Sequence, residues 1–94
     1  MGTTQNNVVI AGVGPGLGAA LARKFANHGC NIGLLARNES YLDQLVDEMA
    51  HDGQTALALP TDLADAVQIE SAFQQFTNTL GTVDILINHA SGSF

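Results

Sequence analysis

The sequence has 94 residues, enough for one small domain. Apolar residues make up 46% and charged residues 13%, which suits a buried α/β core and excludes a disordered chain. The net charge of −6, with Arg23, Lys24 and Arg37 as its cations, excludes the basic clusters that hold nucleic acid or an anionic membrane surface.

Cys30 is the single cysteine, so no disulfide forms within the chain. The opening Met1–Asn7 is polar and lacks a basic leader, and Val8–Gly18 is too short and glycine-broken to span a membrane. These features lead to the expectation of a soluble, cytoplasmic domain.

Short apolar runs then alternate with helical patterns. Val8–Gly12 is β-branched and ends on glycine, which predicts a strand. Leu17–His28 predicts a helix, with Leu17, Leu21 and Phe25 as its apolar stripe and Gly29 at its exit. Asn31–Ala36 predicts a second strand. Ser40 with Asp43 resembles a capping box, opening a helix with Leu42, Leu45, Val46 and Met49 on one face and Gly53 as its stop.

Thr55–Leu59 predicts a third strand, closed by Pro60. Asp65 and Gln68 cap a third helix, striped by Ile69, Phe73, Phe76 and Leu80 and ended by Gly81. Val83–Asn88 predicts the fourth strand. This alternation implies a parallel sheet with helices on both faces, strand order 3-2-1-4, and a ligand crevice where the order reverses. The apolar runs suit strands buried on both faces.

Four segments carry chemistry. The turn Gly12-Val13-Gly14-Pro15-Gly16-Leu17-Gly18 joins a strand to a helix, where bare backbone N–H groups receive a diphosphate. Gly12 permits the turn, Gly16 allows close approach, and Gly18 lets the helix pack closely. The alternative is a turn that binds nothing. The spacing G-x-x-x-G-x-G differs from the common G-x-G-x-x-G, which would need glycine where Leu17 stands.

At the end of the second strand, Ala36 stands where an NAD-preferring site places a carboxylate, and Arg37 follows. A guanidinium there suits a 2′-phosphate, to which Asn38 adds a hydrogen bond; the alternative is a solvated Arg37 paired with Glu39. The third strand leads into Thr61-Asp62-Leu63, and the fourth ends Asn88-His89-Ala90-Ser91-Gly92.

Taken together from Val8 to Gly92, these segments resemble the short-chain dehydrogenase/reductase family and its Rossmann-type fold. The resemblance implies a cofactor site at Gly12, Gly14, Gly16, Leu17, Gly18, Arg37, Asn38, Asp62, Leu63, Asn88, Ala90 and Ser91. Within it, Asp62 accepts from the adenine amino group beside Leu63, although Asp62 can also be read as a helix starter. Pro15 departs from the polar residue frequent in the family, and His89 and Ser91 depart from its Asn-Asn-Ala-Gly segment. His89 is read as structural or cofactor-lining.

The resemblance further implies NADP(H)-dependent carbonyl reduction or alcohol oxidation, with NAD the less favoured cofactor. The family's Ser and Tyr-x-x-x-Lys are missing: Tyr41 is followed four places on by Leu45, and Lys24 stands far from it. No catalytic or metal-binding residue is therefore assigned. Residues 1–94 are read as an incomplete cofactor-binding domain, inactive alone, that self-associates through the open edge of its fourth strand. The competing readings are a non-catalytic dinucleotide-binding or regulatory module, a truncated product, and a methyltransferase using S-adenosylmethionine, against which Arg37 argues.

Overall fold

The computed structural model describes residues 6–14 and 16–89. The elements run β1 (Asn7–Ala11), α1 (Leu17–Asn27), β2 (Asn31–Ala36), α2 (Glu39–His51), β3 (Ala56–Pro60), α3 (Ala66–Leu80) and β4 (Ile85–Asn88). The strands form one sheet in the order β3-β2-β1-β4, every pair parallel. This is the expected order. Pro60 lies inside β3 rather than beyond it, which an edge strand tolerates because one side has no ladder to break.

Side-chain alternation along the strands feeds two cores. Val8, Ile10, Ile32 and Leu34 point to the face covered by α1 and α2, where they meet Ala22, Ala26, Leu42, Leu45 and Met49. Val9, Leu35 and Leu59 point to the opposite face and meet Ala72 and Phe76 of α3. The α3 core works because β2 carries Gly33. A Cβ built there would stand 2.6 Å from Phe76 Cδ2, so the aromatic ring occupies the space that a side chain would need.

The buried stripe of α1 is Gly18, Ala22 and Ala26, one position on from the apolar stripe read from the sequence. Leu17 is 59% exposed, while Leu21 and Phe25 flank the core half-buried. Small residues let the helix axis approach the sheet, and closeness outweighs side-chain size here. Arg23 of α1 donates to Glu48 of α2 across the exposed side of the pair. That hydrogen bond, with a second from Gln44, holds the Glu48 carboxyl below its ordinary value of 4.5.

Helix starts differ in one case from expectation. Asn38 caps α2, its Oδ1 accepting from the Tyr41 N–H at 3.0 Å, so the helix begins before Ser40 and no Ser40–Asp43 box forms. Asp65 caps α3 as expected, accepting from the Val67 and Gln68 N–H groups at 3.0 and 3.3 Å. The return arm of the box reaches further than usual: Gln68 Oε1 accepts from the Asp62 N–H at 2.8 Å.

β4 does not fit the expectation of burial on both faces. Ile85 and Ile87 are half-buried against the α1–α2 core, and Leu86 is 55% exposed on the other face.

The amino ends of the strands are tied by Asn7. Its N–H donates to Asp84 Oδ2 at 2.8 Å. Its Nδ2 donates to the Leu80 and Thr82 carbonyls at 3.0 and 2.9 Å, and its Oδ1 accepts from Asn31 Nδ2 at 3.0 Å. One buried amide thus joins β1, β2 and the α3–β4 turn.

Candidate functional site

Because all four strands are parallel, their carboxyl ends open on one edge, and every segment singled out in the sequence leaves the sheet there. Ala11 is level with Leu35 on one side and Asn88 on the other. The chain then turns sharply at Gly12, whose φ of +90° favours glycine. The Gly12 and Val13 N–H groups both donate to the Leu35 carbonyl, at 2.8 and 3.1 Å, which clamps the turn to the end of β2. Val13 is buried and anchors the turn in the α1 core.

Gly16 is the N-cap of α1, at φ +106° and with no side chain to cap it. Cβ atoms built on Gly14 or Gly16 would meet nothing within 4 Å, so the backbone there faces open space. Ala19 and Ala20 N–H donate to the Gly14 and Gly16 carbonyls, at 3.2 and 2.9 Å. The Leu17 and Gly18 N–H groups have no acceptor among the described residues. Amides without an acceptor at a helix N-terminus, beneath open space, have the chemistry that suits an anion. Gly18 is needed for a different reason. A Cβ there would stand 3.1 Å from Val13 Cα and 3.3 Å from the Gly12 carbonyl, so a side chain would push α1 off the turn.

Arg37 follows β2 directly, is exposed, and forms no ion pair with any described residue; the pairing with Glu39 is not formed. Asn38 stands beside it. Its Oδ1 is engaged in the α2 cap, which leaves Nδ2 as the donor of this exposed amide.

The loop after β3 is fixed by Thr61, a buried residue that sequence reasoning passed over. Its N–H donates to the Ala36 carbonyl and its Oγ1 to the Leu59 carbonyl, each at 2.7 Å. Only its place beside Asp62 could have drawn attention to it. Asp65 takes the cap and leaves Asp62 outside the helix. Even so, Asp62 Oδ1 accepts from the Ala64 N–H at 3.0 Å, so one of its oxygens has local work.

On the α3 side of this edge lies an apolar cleft of about 300 Å³, lined by Ala11, Leu35, Leu63, Ile69, Phe73, Leu86 and Asn88. Leu63 and Asn88 thus meet across it, from opposite sides of β1. Pro15, Ala90, Ser91 and Gly92 lie outside the described residues. Tyr41 packs half-buried on the α1–α2 core, Lys24 is exposed on α1, and no hydrogen bond joins them. No helix among the described residues is long and apolar enough to cross a membrane.

The family model for short chain dehydrogenases matches residues 6–93. The chain belongs to the short-chain dehydrogenases. A fatty acyl-CoA reductase of Mycobacterium tuberculosis is 34% identical over 90 residues, which are 96% of this chain and 31% of that protein.

Among solved structures, a putative D-mannonate oxidoreductase from Haemophilus influenza with bound NAD superposes with a TM-score of 0.87 at 32% identity, over 95% of this chain and 32% of that one. A variant actinorhodin polyketide ketoreductase with NADPH gives a TM-score of 0.88 at 25% identity, over 93% of this chain and 33% of that one. The chain therefore spans about a third of the length of the relatives it matches. Its four-stranded sheet is their Rossmann-type sheet, and the methyltransferase reading falls with the family match.

Proposed function

We propose that this chain supplies the NADP(H)-binding part of a short-chain dehydrogenase/reductase that reduces a carbonyl or oxidises an alcohol. Arg37 carries the choice of NADP over NAD: an exposed guanidinium with no described ion-pair partner stands directly after Ala36, where a carboxylate would repel a 2′-phosphate. One neighbour in structure holds NAD and another NADPH, so the family fold accommodates both and the choice falls to such residues.

The residues present fit a dinucleotide. Leu17 and Gly18 N–H would receive the diphosphate, with Gly14 and Gly16 leaving its approach clear. Asn38 Nδ2 would add a donor beside Arg37. Asp62 would accept from the adenine amino group, with Leu63 beside the ring, and Asn88, Ala90 and Ser91 would follow the cofactor toward its other ribose. Bound nicotinamide supplies hydride transfer. These 94 residues contain no Tyr-x-x-x-Lys, so they bind and orient the cofactor but leave proton transfer to the remainder of the protein. Alone they are inactive. The same lack favours a second reading, a non-catalytic dinucleotide-binding module, should no such motif follow. The acidic surface and the one buried thiol suit the cytoplasm.

The 94-residue chain alone also self-associates, we propose, through the outer edge of β4 and exposed Leu86. Sedimentation over a concentration series should show association; a concentration-independent monomer contradicts it.

Calorimetric titration with NADP⁺ and NAD⁺ tests the cofactor reading. The wild-type chain is expected to prefer NADP⁺, and Arg37→Ala to remove that preference. An equal loss of affinity for both dinucleotides would overturn the role of Arg37.

A further inference from the structure

The opening turn of α3 departs from an ordinary capping box in one bond. In such a box the third helical residue returns its side chain to the N–H of the cap residue. Here the Asp65 N–H is already taken, donating to the Asp62 carbonyl at 2.9 Å. Gln68 Oε1 accepts instead from the Asp62 N–H at 2.8 Å, and Gln68 Nε2 donates to Asp65 Oδ2 at 3.3 Å. Both polar ends of an exposed side chain are thereby held. The cap itself does not need this arm, because Asp65 alone accepts from the Val67 and Gln68 N–H groups.

These bonds converge on Asp62. Its N–H donates to Gln68, its carbonyl accepts from Asp65, and its Oδ1 accepts from the Ala64 N–H at 3.0 Å. On its amino side, buried Thr61 is tied to the Ala36 and Leu59 carbonyls. On its carboxyl side, Leu63 lines the apolar cleft. Asp62 Oδ2 is left with no hydrogen bond among the described residues. An exposed neutral hydrogen bond such as that of Gln68 adds little to stability, because water replaces either partner. Its effect on a ligand is larger, because a carboxylate fixed beforehand has less freedom to lose on binding.

We propose that Gln68 is a positioning residue for the purine end of the dinucleotide: by holding the Asp62 N–H it fixes the carboxylate whose free oxygen accepts from a 6-amino group, so that the site selects adenine over hypoxanthine. This rests on the reading of Asp62 as the acceptor for the adenine amino group. A 6-amino group brings a donor to Oδ2, whereas a 6-oxo group sets one acceptor against another. The selection depends on where Oδ2 stands, and Gln68 governs that through the backbone of Asp62 without touching the base.

The test is calorimetric titration of the full chain with NADP⁺ and with its hypoxanthine analogue, which carries a 6-oxo group in place of the 6-amino group. The wild-type chain is expected to prefer NADP⁺ by roughly tenfold to a hundredfold, as a hydrogen bond to a charged group does. Gln68→Met keeps the length of the side chain and removes its acceptor. It should cut the preference by roughly three- to tenfold through NADP⁺ affinity alone, with the analogue and the melting temperature little changed. Gln68→Ala should do the same, and serves if the first variant fails to fold. Gln68→Glu keeps an oxygen for the Asp62 N–H and should retain the preference; its loss there would overturn the role of that bond. A folded Gln68→Met or Gln68→Ala chain that keeps the wild-type preference, or that weakens equally toward both dinucleotides, overturns the proposal and leaves the Asp62 reading standing. A wild-type chain that binds both dinucleotides equally, or neither, overturns the Asp62 reading and the proposal with it.

Discussion

The two ends of the same four strands are built in opposite ways. At the amino ends, the hydrogen bonds of Asn7 tie β1 to β2 and to the α3–β4 turn, and its polar atoms are satisfied within the fold. At the carboxyl ends, the Gly12–Gly18 turn presents amides with no described acceptor, beside an exposed Arg37 with no described ion pair. Buried polar groups are costly unless paired, so the closed end holds the sheet together. Unpaired groups facing solvent cost little and are available to a ligand, so the proposed cofactor is assigned to the open end.

That contrast predicts a separation of effects between the two ends. The largest belongs to the closed end. Asn7→Ala strands the Leu80 and Thr82 carbonyls and should destabilise the fold by about 3 kcal/mol in denaturant melts. Any dinucleotide affinity that remains in the folded fraction should be unchanged; a selective loss of binding would break the contrast.

Next comes Arg37→Ala at the open end. It should weaken NADP⁺ binding by roughly tenfold to a hundredfold, as loss of a charge-assisted hydrogen-bonding group does, with the melting temperature unmoved. The smallest effect sharpens the picture within one residue. Asn38→Asp keeps a good cap for α2 but replaces the amide donor with a charge. Stability should hold, and NADP⁺ affinity should fall by about fivefold while NAD⁺ affinity changes less.

The sequence made some of this legible and hid the rest, for physical reasons. Strand order could be read because a parallel pair needs a crossover, and three helices between four apolar runs leave few arrangements. The glycine turn and the Asp65 cap could be read because each is formed with its own backbone neighbours. The face of α1 could not, because Gly18, Ala22 and Ala26 bury by smallness, while Leu17, larger and more apolar, is left outside. The capping role of Asn38 is not legible in the sequence, since it depends on where α2 begins. The Asn7 network was hidden because its partners Leu80, Thr82 and Asp84 lie at the other end of the chain. Nothing in local spacing points to them. Likewise β4 is apolar enough for burial on both faces, yet cover depends on what packs against it.

The most direct test of an open carboxyl edge and a closed amino edge is a two-dimensional amide NMR titration of the chain with NADP⁺. The account predicts that the backbone signals of Gly16, Leu17 and Gly18 move most, followed by those of Arg37 and Asn38, while the Asn7 backbone and side-chain amides stay in place. Shifts centred on Asn7 and Thr82, or a glycine turn left unmoved at saturation, would contradict it.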